Sequence, residues 1–276
     1  MTDPAPEAAG PSPLERWNRL LVEPGGHVLR NKLGLTDGQQ LRAAEYRIRA
    51  MRQGEIQRGE VDIPRTSDMA QLQAIHHHLF QDVYEWAGQP RDVDLVKDGQ
   101  PFVEHGWAPQ WIERTGSVMR GVDWPNISRE DFVRTAATAY AELNLAHPFR
   151  EGNGASTKLF LQQMTEGAPY RIDYDRVEKN AWNQASMDSR VQSLQTQTVQ
   201  PGALVQVFDQ IVVDREPPAA PAIDPQLAKV MELQNTTYRS AGGPTTERSA
   251  STAEQSAVVP TGARAQTATR GTERQV

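Results

Sequence analysis

The chain contains no cysteine among its 276 residues, which excludes disulfide frameworks, zinc-thiolate centres and thiol nucleophiles. That suits a reducing cytoplasm or passage through other compartments. Positive charge is also in short supply: 29 Lys and Arg stand against 35 Asp and Glu, a formal net charge of −6. With no basic strip standing out, gripping nucleic acid is not the expected task. No apolar run approaches the length needed to span a bilayer, and Met1 to Pro13, rich in Pro and Ala, lacks the charged-then-apolar pattern of a secretory leader. The expectation is a soluble, cytoplasmic protein with neither a nucleic-acid nor a membrane partner. Its length leaves room for one substantial domain plus tails.

What the sequence does have is concentrated in His147-Pro148-Phe149-Arg150-Glu151-Gly152-Asn153-Gly154. Upstream, Ser128-Arg129-Glu130-Asp131 opens an apolar-periodic run through Phe132, Ala136, Tyr140 and Leu143, predicting a capped helix that ends near Ala146. Downstream, Leu159, Phe160 and Met164 predict a second helix from Ser156 to Glu166. The eight residues are then a loop between two helices. The first amides of the second helix lack partners and point back into that loop, so with the helix dipole behind them they form an anion site. Gly152 and Gly154 let the backbone approach such an anion without a clashing Cβ. Phosphate is the natural guest. Glu151 would hold a magnesium ion bridging phosphate oxygens, Asn153 would donate its amide hydrogens to them, and His147 is the candidate general base. Phe149 is expected to point into the core and anchor the loop.

This stretch resembles the signature of the Fic/Doc family, His-x-Phe-x-Asp/Glu-Gly-Asn-Gly-Arg-x-x-Arg, and all six positions specified through the second glycine agree. The resemblance extends from about Asn31 to about Val213. Ile75 to Phe80 followed by Tyr84-Glu85-Trp86-Ala87-Gly88 is similar to the family's helix before the active site, Arg91 to Phe102 to its β-hairpin flap, and Trp182-Asn183-Gln184-Ala185-Ser186 to its helix beside the nucleotide base. The resemblance implies an all-α, Fic-type helical bundle with a small β-hairpin flap and disordered termini. It implies transfer of AMP from ATP, with Mg2+, onto a Ser, Thr or Tyr hydroxyl of a target protein. His147 would be the base and Glu151 the metal ligand. Phe149, Gly152, Asn153, Gly154, Ser156, Lys158 and Asn183 would bind the nucleotide, while Lys97 and Phe102 would touch target or nucleotide from the flap.

Two positions depart from the pattern. Ala155 stands where the family has its first arginine and Lys158 where it has the second; in the family these clamp the outer phosphates, and the second also pairs with an inhibitory glutamate. Lys158 keeps a point charge without the bidentate fork, and Ala155 keeps nothing. A lost charge-assisted hydrogen bond is worth roughly 1.5–3 kcal/mol, so a rate deficit of about ten- to a hundredfold is expected. Two alternatives stay open: a module that binds nucleotide or target without turnover, and a Fic enzyme using another phosphate-containing donor that needs no outer clamp.

The remaining chain divides into an N-terminal arm (1–30), the Fic domain (31–213) and a Pro/Ala/Thr-rich tail (214–276) expected to be disordered. Leu14 to Leu35 reads as an irregular entry. Thr36-Asp37-Gly38-Gln39 has capping-box spacing before a helix through Ile48 and Met51. Ser67-Asp68 opens another helix, with Gly88 as its stop. Its three adjacent histidines, Ile75-His76-His77-His78, point about 100° apart and cannot converge on one metal ion, so one of them is expected to face the core. Asp92 to Val96 and Lys97-Asp98-Gly99-Gln100 read as a hairpin. Ala108-Pro109 starts a helix, Asp173 or Asp175 caps one through Trp182, and a last helix follows Pro201-Gly202. Gln226 to Leu233 reads as an isolated helical piece. Arg264, Arg270 and Arg274 in the tail are similar to a type IV secretion signal, giving delivery into a target cell as a second destination. The inhibitory pattern Ser/Thr-x-x-x-Glu-Gly/Asn has no match, since Thr269 to Glu273 is followed by Arg274. A small antitoxin-like inhibitory protein is therefore an expected partner.

Overall fold

The computed structural model describes residues 10–190, 198–216 and 229. The helices are α1 (Pro13–Asn18), α2 (Gly38–Gln57), α3 (Met69–Phe80), α4 (Ala108–Arg120), α5 (Arg129–Ala146), α6 (Asn153–Met164), α7 (Lys179–Asp188) and α8 (Gly202–Ile211). Helix α5 is the axis, packing against α4, α6 and α8. Ser128 caps it by accepting the Asp131 N–H at 3.1 Å. Its buried face carries Phe132, Tyr140 and Leu143 between alanines at 136, 137, 139 and 141, small residues that let neighbouring helices approach while the large ones interlock.

Helix α3 crosses this bundle, capped by Asp68, whose Oδ1 accepts the Gln71 N–H at 3.0 Å. It ends at Phe80, before the expected Gly88. The carbonyls that would continue it are taken by the N-terminal segment: Lys32 N donates to Val83 O at 2.8 Å and Lys32 Nζ to Gln81 O at 2.9 Å. Val83 and Tyr84 are buried all the same.

Two short antiparallel ribbons complete the fold. Strands β1 (Val96–Lys97) and β2 (Gln100–Pro101) pair Val96 with Pro101 and Lys97 with Gln100. Their turn is Asp98-Gly99, both at positive φ (53° and 74°), the geometry a two-residue hairpin demands. The second ribbon, β3 (Tyr170–Ile172) with β4 (Val212–Asp214), is not signalled in the sequence, because three-residue strands carry too little alternation to see.

Four further boundaries differ from expectation. Neither Asp173 nor Asp175 caps the helix through Trp182: Asp173 accepts the Asp175 N–H at 3.3 Å in a short 3-10 turn, and α7 starts at Lys179 after Glu178. Asp37, not Thr36, caps α2, accepting from the amides of Gln39 and Gln40. Helix α6 starts at Asn153, three residues earlier than the apolar periodicity indicates. Within the entry stretch, Ser12 and Glu15 form a reciprocal capping box that starts α1 with Pro13 in its first turn, and Leu21 and Leu29 join the main core. The readings of residues 1–9, and of the tail from 217 on apart from position 229, lie outside the described residues.

Candidate active site

The motif loop has an inner face sealed into the core. Helix α5 stops at His147, which turns left-handed at φ 43° and ψ 58°. Gly152 does the same at φ 80° before α6, and there a Cβ would lie 2.4 Å from Phe80 Cε2, so only glycine fits. Asn153 closes the loop: its Oδ1 accepts the Phe149 N–H at 2.9 Å and its Nδ2 donates to Phe149 O at 2.8 Å. Ser156 Oγ is spent on the carbonyls of Gly152 (3.0 Å) and Asn153 (3.2 Å). The Phe149 ring is fully buried and stacks on His76 at 3.8 Å. His76 is the core-facing member of the triple histidine; its Nδ1 accepts the Gly88 N–H at 2.8 Å and its Nε2 donates to Glu151 O at 2.9 Å.

Arg91, buried at the base of the hairpin, holds the junction of α5, loop and flap. Its guanidinium donates to the carbonyls of His147 (2.8 Å), Val93 (2.7 Å), Val103 and Ala146. These include C-terminal carbonyls of α5 that the helix leaves unpaired, where a cation also meets the negative end of the dipole. Backbone bonds from Arg91 N to Pro148 O (2.8 Å) and Val103 N to Leu145 O (3.1 Å) complete the seam.

The outer face opens on a cavity of about 390 Å³. It is walled by His147, Arg150, Glu151, Asn153 and Gly154 from the loop, Lys97 and Phe102 from the hairpin, Trp182, Asn183, Ser186 and Arg190 from α7 and its end, and Trp17 from α1. The Phe102 ring stacks on the His147 ring at 3.8 Å. His147 Nδ1 lies 3.2 Å from Asn144 O; a carbonyl can only accept, so Nδ1 carries the proton and Nε2 keeps a free lone pair. Burial, reinforced by the positive charges of Arg91, Lys97 and Arg190 and only partly opposed by the Asn144 carbonyl, pushes the His147 pKa down to about 3. At neutral pH the ring is an uncharged proton acceptor. Glu151 is exposed, and among the described residues its carboxylate accepts one hydrogen bond, from Gly152 N at 3.1 Å.

The cavity thus gathers His147, Glu151, Asn153, Gly154, Asn183, Lys97 and Phe102, but four expected residues do not line it. Phe149 and Ser156 are buried in the core, and Gly152 backs onto Phe80. The Lys158 amine lies over the rings of Tyr174 (4.6 Å) and Trp182 (4.2 Å). Burial there brings its pKa down to about 8. Asn153 reaches the cavity, yet its carboxamide is occupied as the loop's brace. The early start of α6 explains these placements: Asn153 and Ser156 fall in its first turn, where their side chains take up local backbone groups. Arg91, Arg150, Arg190 and Trp17 escape a sequence reading, because each acts through partners distant in the chain. The presence of Arg150 inside the motif is the one available cue. Trp182 serves both the core and the cavity: it is buried, its Nε1 donates to Tyr140 OH at 3.2 Å, and it walls the cavity.

Comparison with known proteins bears on the same region. A model of the Fic/DOC family matches residues 66–165. The chain is 31% identical over 194 residues to a probable protein adenylyltransferase Fic of Escherichia coli (strain K12), covering 68% of this chain and 90% of that protein. It is 36% identical over 181 residues to the protein adenylyltransferase VbhT of Bartonella schoenbuchensis, covering 63% of this chain and 36% of that protein. Among solved structures, the BepC protein of Bartonella tribocorum, a VirB-translocated effector with bound AMPPNP, is similar in fold at a TM-score of 0.61 and 21% identity, over 72% of this chain and 98% of that one.

Proposed function

The chain belongs to the Fic/DOC family, and from that premise we propose that it is a protein adenylyltransferase, moving AMP from ATP onto a Ser, Thr or Tyr hydroxyl of a target protein. The observation that carries this reading is His147. Its Nδ1 proton is committed to Asn144 O, its unprotonated Nε2 has no hydrogen-bond partner among the described residues, and the residue lines a cavity that also holds Glu151 and the first residues of α6. The target hydroxyl attacks the α-phosphorus in line as its proton passes to His147 Nε2. The new O–P bond forms as the bond to the β-phosphate oxygen breaks, and pyrophosphate leaves. The partnerless first amides of α6 stabilise phosphate charge. Phe102 fixes the plane of the imidazole, and the hairpin carrying it and Lys97 supplies a strand edge for the target backbone.

Magnesium fits this donor set. Among the described residues Glu151 is the single carboxylate lining the cavity and most of its lone pairs are unused, as suits an ion bound through one carboxylate plus substrate phosphates and water. Among the described residues no cluster of three or more His, Asp or Glu offers an all-protein cage. When bound, the ion neutralises phosphate charge.

Ala155 and Lys158 attenuate the reaction by weakening the grip on the outer phosphates. That Lys158 rests on Tyr174 and Trp182 favours one second reading, a donor whose distal group is not a triphosphate. A separate antitoxin-like inhibitor, and action in the cytoplasm or in a cell reached by type IV secretion, belong to the same proposal. Domain limits of 31–213 remain part of it. The test is mass spectrometry of total protein after expression. A gain of one AMP on a target, lost in His147→Ala, is expected. Tight ATP binding with no covalent product would replace transfer by the binding-module reading, and a different added mass would name another donor.

A further inference from the structure

The chain as a whole is negative, yet three cations, Lys97, Arg150 and Arg190, line the cavity against the one carboxylate of Glu151. The two arginines, Arg150 half-buried and Arg190 buried, are held in an unusual way for cations. The Arg150 guanidinium lies 4.1 Å from the Trp17 ring centre, and its Nε is buried with no hydrogen-bond partner. Arg190 is 3% exposed and lies 5.1 Å over Phe102; among the described residues its polar contacts are Lys97 O at 3.3 Å and the Asp98 carboxylate at the longer 3.8 Å. Stacking on a ring fixes the plane of a guanidinium but consumes none of its five in-plane donors. A buried arginine without a close carboxylate is costly unless an anion completes it. Both arginines therefore stand preorganised for an anionic ligand, Arg150 within the loop that leads into α6 and Arg190 just past the end of α7, and both line the cavity.

We propose that Arg150 and Arg190 form a phosphate clamp, supplying from outside the two motif arginine positions part of the grip that Ala155 and Lys158 do not give. Arg190, one ring away from His147 through Phe102, grips the phosphate at the reacting end. Arg150, beside Glu151, grips the phosphates that leave. This rests on the nucleotide reading of the cavity but needs only a polyphosphate to be true.

The test is calorimetric titration of the full chain, in a His147→Ala background to prevent turnover, with ATP, adenosine and inorganic tripolyphosphate. Arg150→Met and Arg190→Met should each weaken ATP and tripolyphosphate binding by about tenfold or more, while adenosine affinity stays within about twofold. Arg→Lys variants, which keep the charge but not the planar fork, should recover part of the loss, and melting curves without ligand check that each variant folds. Unchanged ATP affinity in both Met variants overturns the clamp, as does an equal loss for adenosine, which would mark a structural role. If tripolyphosphate binds through these arginines but ATP does not, the clamp stands and adenylyl transfer falls. If the unmutated chain transfers AMP while both Met variants hold ATP normally, the clamp falls alone. A chain that binds neither ATP nor tripolyphosphate overturns both.

Discussion

His76 and His147 sit on opposite faces of one loop and look alike by several measures. Each ring stacks on a phenylalanine at 3.8 Å, and burial lowers both pKa values, His76 to about 4 and His147 to about 3. The difference is in what their nitrogens touch. His76 spends both, on Gly88 N and Glu151 O, and is a strut that ties α3 to the loop. His147 spends one, on Asn144 O, and keeps the other for the cavity. Depressed basicity therefore does not by itself single out the proposed base in this molecule; an unpartnered ring nitrogen on a cavity-lining residue does.

The comparison breaks most sharply by deletion. His147→Ala should lower transfer by on the order of 100- to 10,000-fold while ATP binding survives, since the base acts on the incoming hydroxyl. His76→Ala should cost about 3–5 kcal/mol of folding stability, the scale for emptying a buried ring site, and lose activity only as it loses fold. Urea denaturation with a labelling assay separates the two. Full transfer by His147→Ala, or a normally stable but inactive His76→Ala, would reverse the roles.

The two glycines of the loop repeat the contrast at lower energy. Gly152→Ala forces a left-handed alanine into Phe80 and should cost about 2–4 kcal/mol. Gly154 lines the cavity, has no positive φ, and a Cβ there meets nothing within 4 Å. Gly154→Ala should leave stability unchanged or raise it by up to about 1 kcal/mol while weakening ATP binding, because the methyl group occupies space a phosphate needs. Calorimetric melting checks the first and titration the second. A benign Gly152→Ala would mean that the loop's inner face is not sealed.

What the sequence made legible follows the same division. Caps and turns are local, so the start of α5 at Ser128, its end at Ala146, the Asp98-Gly99 turn and a core-facing histidine could all be read from neighbouring residues. The inner and outer faces of the loop could not. Whether Asn153 points at a phosphate or back at Phe149 depends on where α6 begins, and apolar periodicity from Leu159 onward cannot see a first turn made of Asn, Gly and Ala. Arg91, Arg150 and Arg190 are set by partners far along the chain, 93 residues away in the bond from Arg190 to Lys97 O and farther still for Arg150 on the Trp17 ring. Lys158 carried the right charge at the family's position, yet neighbouring aromatic faces decide where its amine rests.

Acid should reveal both histidines at once. Each binds a proton in the unfolded chain near pH 6.5 but not in the native one until about pH 4 or 3. The unfolded state therefore holds more protons through that window. Stability is fully present above pH 6.5 and falls as the pH drops toward 4, with a slope approaching about 1.4 kcal/mol per pH unit for each histidine. Denaturation free energies between pH 6.5 and 5 measure it, and His147→Ala should reduce the slope by about half of the two-histidine contribution. Transfer itself should show no loss attributable to His147 over this range, because the native imidazole stays neutral. A rate that falls with a midpoint near 6.5 would mean that the base is solvated as an ordinary histidine.

The smallest effect concerns the outer face alone. Ala155 lies in the first turn of α6, half-buried beside the cavity-lining Gly154, and Ala155→Arg introduces a fork where the motif has none. A new charge-assisted contact that tightens as pyrophosphate leaves should appear mainly in turnover, by up to about tenfold. It should be larger with ATP than with ADP, whose shorter chain reaches less of the clamp. If Arg150 already carries part of that grip, the two arginines compete for the same oxygens and their effects cannot simply add. The gain from Ala155→Arg should then be greater in an Arg150→Met background than in the unmutated chain. Steady-state labelling by the four chains of this cycle gives the coupling directly. Equal gains in both backgrounds would place the two side chains on different parts of the ligand. A fall in labelling on introducing the arginine would mean that the cavity is shaped for a donor without outer phosphates.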